Sequence, residues 1–304
     1  MKHFHDKNIE NIKINRDLAI TIGKFDGLHK GHMALIAKLK EVAAEQRLVS
    51  AVLSFTPHPA AVLRGKDIPL ILSPQEKSYV LNQMDVDYYI EYPFTQQFAQ
   101  VSSENFIKNI LFQQFGSKAL IVGENFRFGK NGLGDVALAE RLGAEIGLHV
   151  HIMPLVADKT AQISSENIRR MVAAKDFHGV YQACGRNYFI MGDVVHGKKK
   201  GREMGFPTAN IVPHKNKLLP PLGVYYTSTF VDNIGYPSIT NVGADTTETH
   251  LLGYSGDLYG CTIRIDFLQW MRDMQSFASY DDLALQLTKD AVARKAFDTI
   301  CSDI

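Results

Sequence analysis

The residues Gly23-Lys24-Phe25-Asp26-Gly27-Leu28-His29-Lys30-Gly31-His32 combine three glycines and two histidines between an apolar run and a helical pattern. Glycines let a backbone approach an anion closely, and a helix start adds free N–H groups with partial positive charge. His29 and His32 bring donors for charge developing on a transferring phosphorus, each worth about 3–4 kcal/mol if well placed. The same segment also fits a plain Gly-rich βα turn carrying two surface histidines. A zinc site built from His29, His32 and His58 lacks a matching Cys or carboxylate cluster. Two further loops carry similar chemistry: Phe55-Thr56-Pro57-His58-Pro59 and Gly123-Glu124-Asn125-Phe126-Arg127-Phe128-Gly129. Each alone reads as a Pro turn or an aromatic clamp. Three such loops, each at the carboxyl end of a strand, point to a nucleotide site.

A second constellation lies downstream. The basic stretch Gly197-Lys198-Lys199-Lys200-Gly201-Arg202 in isolation suggests a solvated loop or a nucleic-acid patch. Its continuation, Gly205-Phe206-Pro207-Thr208-Ala209-Asn210, decides otherwise. Pro207 biases Phe206 to extended geometry, and Thr208 and Asn210 then share one face of a strand. A hydroxyl beside an amide oxygen is a hard-oxygen site suited to Mg²⁺ carrying nucleotide phosphates. No GxxxxGK[ST] is present, so a P-loop kinase is excluded. Gly132-Leu133-Gly134-Asp135-Val136-Ala137 fits a dinucleotide GxGxxA pattern, but no strand directly precedes it.

These residues need elements to hold them. Leu18 to Ile22 is a β-rich run ending at Gly23, and a helix follows from about Gly31 with Leu35, Leu39 and Val42 on one face. Leu48–Phe55, Tyr88–Ile90, Ala119–Val122 and His149–Met153 read as further strands. Ser73-Pro74 marks a helix start, Ser103–Phe115 is helical, and one helix is expected from about Ser165 to a C′ glycine at Gly185. Five strands alternating with helices predict a doubly wound, Rossmann-like parallel sheet. From Tyr188 to Trp270 short β-like runs punctuated by Gly and Pro predict a small antiparallel barrel or sandwich. A terminal helix follows, started by Ser279 and Asp282, with Leu283, Leu287 and Ala291 at i+4 steps. The expected division is 1–184 and 185–304.

The bulk numbers agree. At 304 residues two domains are the prior, and 45% hydrophobic with 21% charged residues excludes disorder and fibrous repeats. A net charge of +1 gives no global attraction to nucleic acid, so none is expected as a partner. Cys184, Cys261 and Cys301 are odd in number and widely spaced, which excludes a disulfide framework and fits a reducing compartment. The N-terminus lacks an apolar signal region and no run approaches a membrane span. A cytoplasmic protein with no membrane partner, a monomer or weak oligomer, is expected.

The motifs GxFDGxHxGH, FxPHP, VGxNFRFG and Ile163-Ser164-Ser165…Arg169 resemble the adenylyltransferase module of the bifunctional bacterial riboflavin kinase/FAD synthetases. The resemblance implies attack of the FMN phosphate on the α-phosphate of ATP, releasing pyrophosphate without a covalent intermediate. It assigns His29 and His32 to the ATP phosphates as catalytic donors. Ser164, Ser165 and Arg169 close around the nucleotide, and Asn125 contacts a nucleotide or flavin phosphate. Gly23, Phe25, Asp26, Gly31, His58 and Arg127 complete that binding set. Here Glu166 and Asn167 follow the serines where the family usually continues Thr-x-x-Arg, and Lys24 replaces the usual Asn.

From Gly192 to Asn210 the chain matches G-x-V-x-x-G-x-x-x-G-R-x-x-G-F-P-T-A-N, the riboflavin kinase signature of the same family. Gly223-Val224-Tyr225, Asn241-Val242-Gly243, Glu248-Thr249-His250-Leu251-Leu252, Leu258-Tyr259-Gly260 and Arg272 continue the resemblance. It implies a six-stranded kinase barrel in which Glu248 is the general base on the ribityl 5′-hydroxyl. Thr208 and Asn210 hold Mg²⁺, while Gly197, Lys199, Gly201, Arg202, Pro207 and Arg272 contact ATP or flavin. The loop before Glu248 is shorter than usual, and Met274 stands where the family usually has Glu. Magnesium is expected at both steps, with ATP, riboflavin and FMN as substrates. The competing readings are a kinase with weak or lost adenylyl transfer, and a non-catalytic flavin- and nucleotide-binding regulator.

Overall fold

The computed structural model describes residues 1–5, 9, 14–65, 67–154, 163–197, 205–244 and 246–302. They form two compact units, Met1–Ser165 and Glu166–Ile304.

The first unit is a parallel sheet of β1 (Lys2–Phe4), β2 (Leu18–Ile22), β3 (Val49–Thr56), β4 (Tyr88–Pro93), β5 (Ser117–Gly123) and β6 (His149–Met153). The strand order is β1-β4-β3-β2-β5-β6. All five residues of β2 are buried, as expected of a central strand covered on both faces. Around the sheet run α1 (Lys30–Gln46), α2 (Pro59–Arg64), α3 (Pro74–Gln83), a short α4 (Ser103–Asn105) continued by a π-helix over Phe106–Gln114, and α5 (Val136–Ile146). Ser73 starts α3 with a full capping box: its hydroxyl accepts from Glu76 N–H, and the Glu76 carboxylate accepts from Ser73 N–H. The order reverses at β2, with β3 on one side and β5 on the other. The carboxyl ends of these three strands therefore surround a topological switch point, where open α/β sheets bind ligands.

α6 (Ser165–Ala173) and α7 (Phe177–Cys184) replace the single helix expected over this stretch. Lys175 takes a left-handed φ of 62°, and Asp176 recaps the chain by accepting from Gly179 N–H at 2.8 Å. Gly185 ends α7 in the expected left-handed conformation.

The second unit contains a closed barrel of β7 (Tyr188–Val195), β8 (Ala209–Ile211), β9 (Gly223–Val231), β10 (Ile234–Val242), β11 (Thr247–Leu251) and β12 (Thr262–Arg272), in the order β10-β11-β8-β7-β12-β9. Alternating burial along β11 turns Thr247, Thr249 and Leu251 inward and leaves Glu248 and His250 half-buried on the outer face. The buried hydroxyls of Thr227, Thr229, Ser238, Thr240 and Thr249 bond to one another at 2.8–3.1 Å, so these polar groups satisfy themselves. The terminal helix α8 (Tyr280–Ser302) differs from expectation in the face it buries. Leu283, Leu287 and Ala291 are only half-buried, whereas Asp290 and Arg294 are 1% exposed. Each buried charge is answered: Arg294 donates to the Thr227 and Ser238 carbonyls, and Asp290 accepts from Arg272 and Gln286.

Candidate active sites

In the first unit the Gly23–His32 segment leaves the carboxyl end of β2 and enters α1. Phe25, Gly27 and Leu28 have φ of 46°, 90° and 42°, so the loop is tightly folded back on itself. Phe25 and Leu28 are fully buried plugs. A Cβ on Gly23 would lie 3.2 Å from the Phe25 ring, so this glycine makes room for that plug. The Asp26 carboxylate is buried and accepts from Ile71 N–H at 2.9 Å, while its carbonyl accepts from the Ser165 hydroxyl at 2.7 Å. Phe25 and Asp26 thus shape the loop from within.

His29 is the residue before α1, and its ring stacks on His32 with centroids 3.8 Å apart. Gly31 leaves space for the His29 ring, since a Cβ there would stand 3.3 Å from it. Two imidazoles at a helix start therefore form one half-buried platform beside the exposed Lys24. β3 is the parallel neighbour of β2, which brings the Phe55–Pro59 loop alongside. His58 there N-caps α2, its Nδ1 accepting from Ala60 N–H at 3.2 Å. On the other side, β5 delivers exposed Asn125, and exposed Arg127 pairs with Asp135 at 3.3 Å. Asp135 is also the N-cap of α5, accepting from Leu138 N–H, which gives the Gly132–Ala137 pattern a structural explanation. Ser164 and Ser165 close the unit's chain. In the second unit Arg169 pairs with Glu166 at 3.6 Å, and Arg170 pairs with Asn167, so both residues that depart from the usual Thr-x-x-Arg continuation have an arginine partner.

In the second unit, strand register builds the site. Asn210 on β8 lies directly opposite Glu248 on β11, and Glu248 directly opposite Asn241 on β10. These three side chains form one row on the outer face of the barrel. Beyond Asn241 the same row reaches Val224 and then Arg272. Asp290 accepts from Arg272 Nε with both oxygens, at 3.1 and 3.2 Å, and from its Nη2 with Oδ2 at 2.6 Å. Thr208 is exposed just before β8, and Asn210 is 8% exposed. His250 Nδ1 meets the Pro207 carbonyl at 2.8 Å and fixes the approach to Thr208. A cavity of about 570 Å³ opens there, lined by Thr208, Asn210 and Gly197 together with Val194, Leu251, Tyr254 and Tyr259. Its size and its mixed polar and apolar lining suit a nucleotide. Gly197 touches the Asn210 amide so closely that a Cβ there would stand 2.3 Å from Nδ2. Lys199, Gly201 and Arg202 lie outside the described residues. Among described residues no cluster of three or more His, Cys, Asp or Glu forms a metal site, so the hard-oxygen pair is the metal candidate that remains. Sequence reading placed Asn241 in the riboflavin kinase resemblance but gave it no role at the site. Its buried Oδ1 has no hydrogen-bond partner among the described residues, and its place opposite Glu248 is revealed only by register.

A histidine-bearing loop at an α/β switch point, and a barrel with a carboxylate one strand from a nucleotide-sized cavity, suit a two-unit phosphate-group transferase. Comparison with known proteins agrees. Residues 11–167 match the FAD synthetase family model, and residues 184–297 match the riboflavin kinase model. The bifunctional riboflavin kinase/FMN adenylyltransferases of Pseudomonas fluorescens and Escherichia coli K12 are each 33% identical to this chain. The first covers 93% of this chain and 93% of its own length, the second 91% and 92%. A crystal structure described as a macrolide-efflux protein from Streptococcus pneumoniae superposes with a TM-score of 0.85 at 27% identity, covering 97% of this chain and 99% of that one. No described helix of the present chain is long and apolar enough to cross a membrane. The chain belongs to the bifunctional riboflavin kinase/FMN adenylyltransferase family.

Proposed function

We infer that this chain phosphorylates riboflavin on its barrel unit and adenylylates the resulting FMN on its α/β unit. The observation that carries the reading is the Asn210–Glu248–Asn241 row, which meets the cavity wall at Asn210, in a chain that also holds the stacked histidines at a helix start. Residues 1–184 and 185–304 are the proposed functional divisions: the riboflavin kinase match begins at 184, while the FAD synthetase match ends at 167 and the compact units part earlier, between Ser165 and Glu166.

In the kinase step Glu248 takes the proton of the ribityl 5′-hydroxyl as that oxygen attacks the γ-phosphorus, and ADP leaves. Such a base is worth about 10²–10⁴-fold. Tyr254 and Tyr259 wall the cavity against the nucleotide base, and Gly197 and Pro207 set the backbone that cradles phosphate. Thr208 and Asn210 fit Mg²⁺: both offer hard oxygens, two residues apart, on the cavity wall. A magnesium ion there would neutralise charge on the nucleotide phosphates. Arg272, fixed by Asp290 and by its Nη1 bond to the Asp273 carbonyl at 3.1 Å, stands at the end of the same row.

In the adenylyl step an FMN phosphate oxygen attacks the α-phosphorus of ATP, and pyrophosphate departs. His29 and His32 donate to the phosphates, and the free N–H groups of α1 face the charge that develops. Gly23 and Gly31 leave room for the Phe25 plug and the His29 ring that shape the loop; Asn125, Arg127 and His58 flank it from neighbouring strand ends. Ser164, Ser165 and Arg169 are assigned to the nucleotide on the motif they share with the family.

The test is a reciprocal pair of lesions. Glu248→Gln should lose FMN formation by at least about 100-fold while still converting added FMN to FAD. The double variant His29→Ala/His32→Ala should do the reverse. Loss of both activities in both folded variants would overturn the assignment to two separate sites.

A further inference from the structure

Beneath the Gly23–His32 loop lies a buried cation to which the reaction chemistry gives no part. Lys77, on α3, is 8% exposed. Its Nζ donates to the Lys24 carbonyl at 3.1 Å and to the Ser54 hydroxyl at 3.0 Å. The Ser54 hydroxyl in turn donates to the same Lys24 carbonyl at 3.0 Å. One carbonyl of the loop is thus gripped twice, by an ammonium and by a hydroxyl that the ammonium orients. Asp26 on the loop and Glu91 on β4 answer the charge, and burial pushes the Lys77 pKa down against their pull.

Stability does not explain such a group. Removing an ammonium from water is costly, and an apolar side chain of similar volume often serves the fold as well or better. What the ammonium supplies is a fixed point. The loop it holds runs through left-handed φ at Phe25 and Leu28, a conformation that persists only where surroundings over-determine it. Asp26 is tied at one end to Ile71 and Ser165, and Lys24 is tied at the other to Lys77 and Ser54. Beyond these anchors come the N–H groups at the start of α1 and the stacked pair His29 and His32.

We propose that Lys77 is a positioning residue for adenylyl transfer, clamping the Lys24 carbonyl so that the following loop aims its donors at the transition state. The proposal rests on the assignment of this loop to the ATP phosphates. A lysine acting this way touches neither ATP nor FMN. Its loss should therefore lower kcat for FMN adenylylation more than it raises KM for FMN.

The variants are Lys77→Met and Ser54→Ala in the full chain, with FMN adenylylation and riboflavin phosphorylation measured well below the melting temperature. Lys77→Met should lower adenylylation kcat by about 10–100-fold, with KM for FMN within about threefold and riboflavin phosphorylation unchanged. Ser54→Ala, which keeps the ammonium, should lower kcat by about two- to fivefold. A folded Lys77→Met enzyme with native adenylylation kcat overturns the proposal. If that variant does not fold, native kcat in Ser54→Ala overturns it instead. The His29→Ala/His32→Ala variant separates the two readings: if it adenylylates FMN normally, the loop assignment itself is wrong, whatever Lys77 does.

Discussion

Gly197→Ala is a one-carbon perturbation with a calculable consequence. A Cβ built on Gly197 falls 2.3 Å from Asn210 Nδ2, 2.6 Å from its Cγ and 2.8 Å from its Oδ1. Ordinary van der Waals contact begins near 3.4 Å, so the amide must retreat by about 1 Å. Asn210 is 8% exposed on a short strand between β7 and β11, which leaves it little room to do so. Overpacking of this kind costs about 1–3 kcal/mol in stability. A displacement of that size in a phosphate-positioning group costs about 100-fold in rate, or roughly 2.7 kcal/mol on the barrel unit's barrier. The assay is ATP-dependent FMN formation from riboflavin, alongside FAD formation from added FMN on the same preparation. FMN formation should fall about 100-fold, and FAD formation should stay within about twofold. A folded Gly197→Ala enzyme that phosphorylates riboflavin at the native rate would refute the placement of Asn210 at the phosphates.

Two other expectations concern stability. Burial pushes the Asp266 carboxyl up to about 6 despite Arg264 at 2.7 Å, so the folded state holds this proton more tightly than the unfolded chain. Its contribution is therefore greatest below about pH 4 and declines as pH rises to about 6, by up to about 3 kcal/mol. Asp266→Asn should flatten that slope, read from urea unfolding followed by Trp270, the chain's one tryptophan, which lies in β12. An unchanged slope would show that Asp266 is not the titrating group. Ser73→Ala breaks the capping box of α3 and should cost about 1 kcal/mol of stability, measured as a lower urea midpoint of the α/β unit.

What was legible in the sequence was what local rules control. The buried run Leu18–Ile22 ending at a glycine, the Ser73-Pro74 cap and the Gly185 stop each depend on neighbours in sequence, and each stands where expected. The edge strand β1 was not legible, because three residues carry too little periodicity and its pairing with β4 spans more than eighty positions. The break between α6 and α7 was missed although Asp176 is a cap residue, because the apolar pattern continues across it. Charged residues defeated the reading most. Asp290, Arg294 and Lys77 would ordinarily be placed on the surface, and only tertiary partners far along the chain make their burial tolerable. The same limit applies at the sites. Motifs singled out Thr208, Asn210 and Glu248, but the alignment of Asn210 and Glu248 in one row with Asn241 is a fact of strand register.

The central claim is that one chain carries both transfers, and a single time course tests it. Purified protein is incubated with riboflavin, ATP and Mg²⁺, and the three flavins are separated by chromatography at intervals. FMN should rise first and then give way to FAD, with the Glu166–Arg169 and Asn167–Arg170 pairs tolerated. FMN accumulating without FAD, even at high ATP, would contradict the account and leave a riboflavin kinase with a silent nucleotide unit.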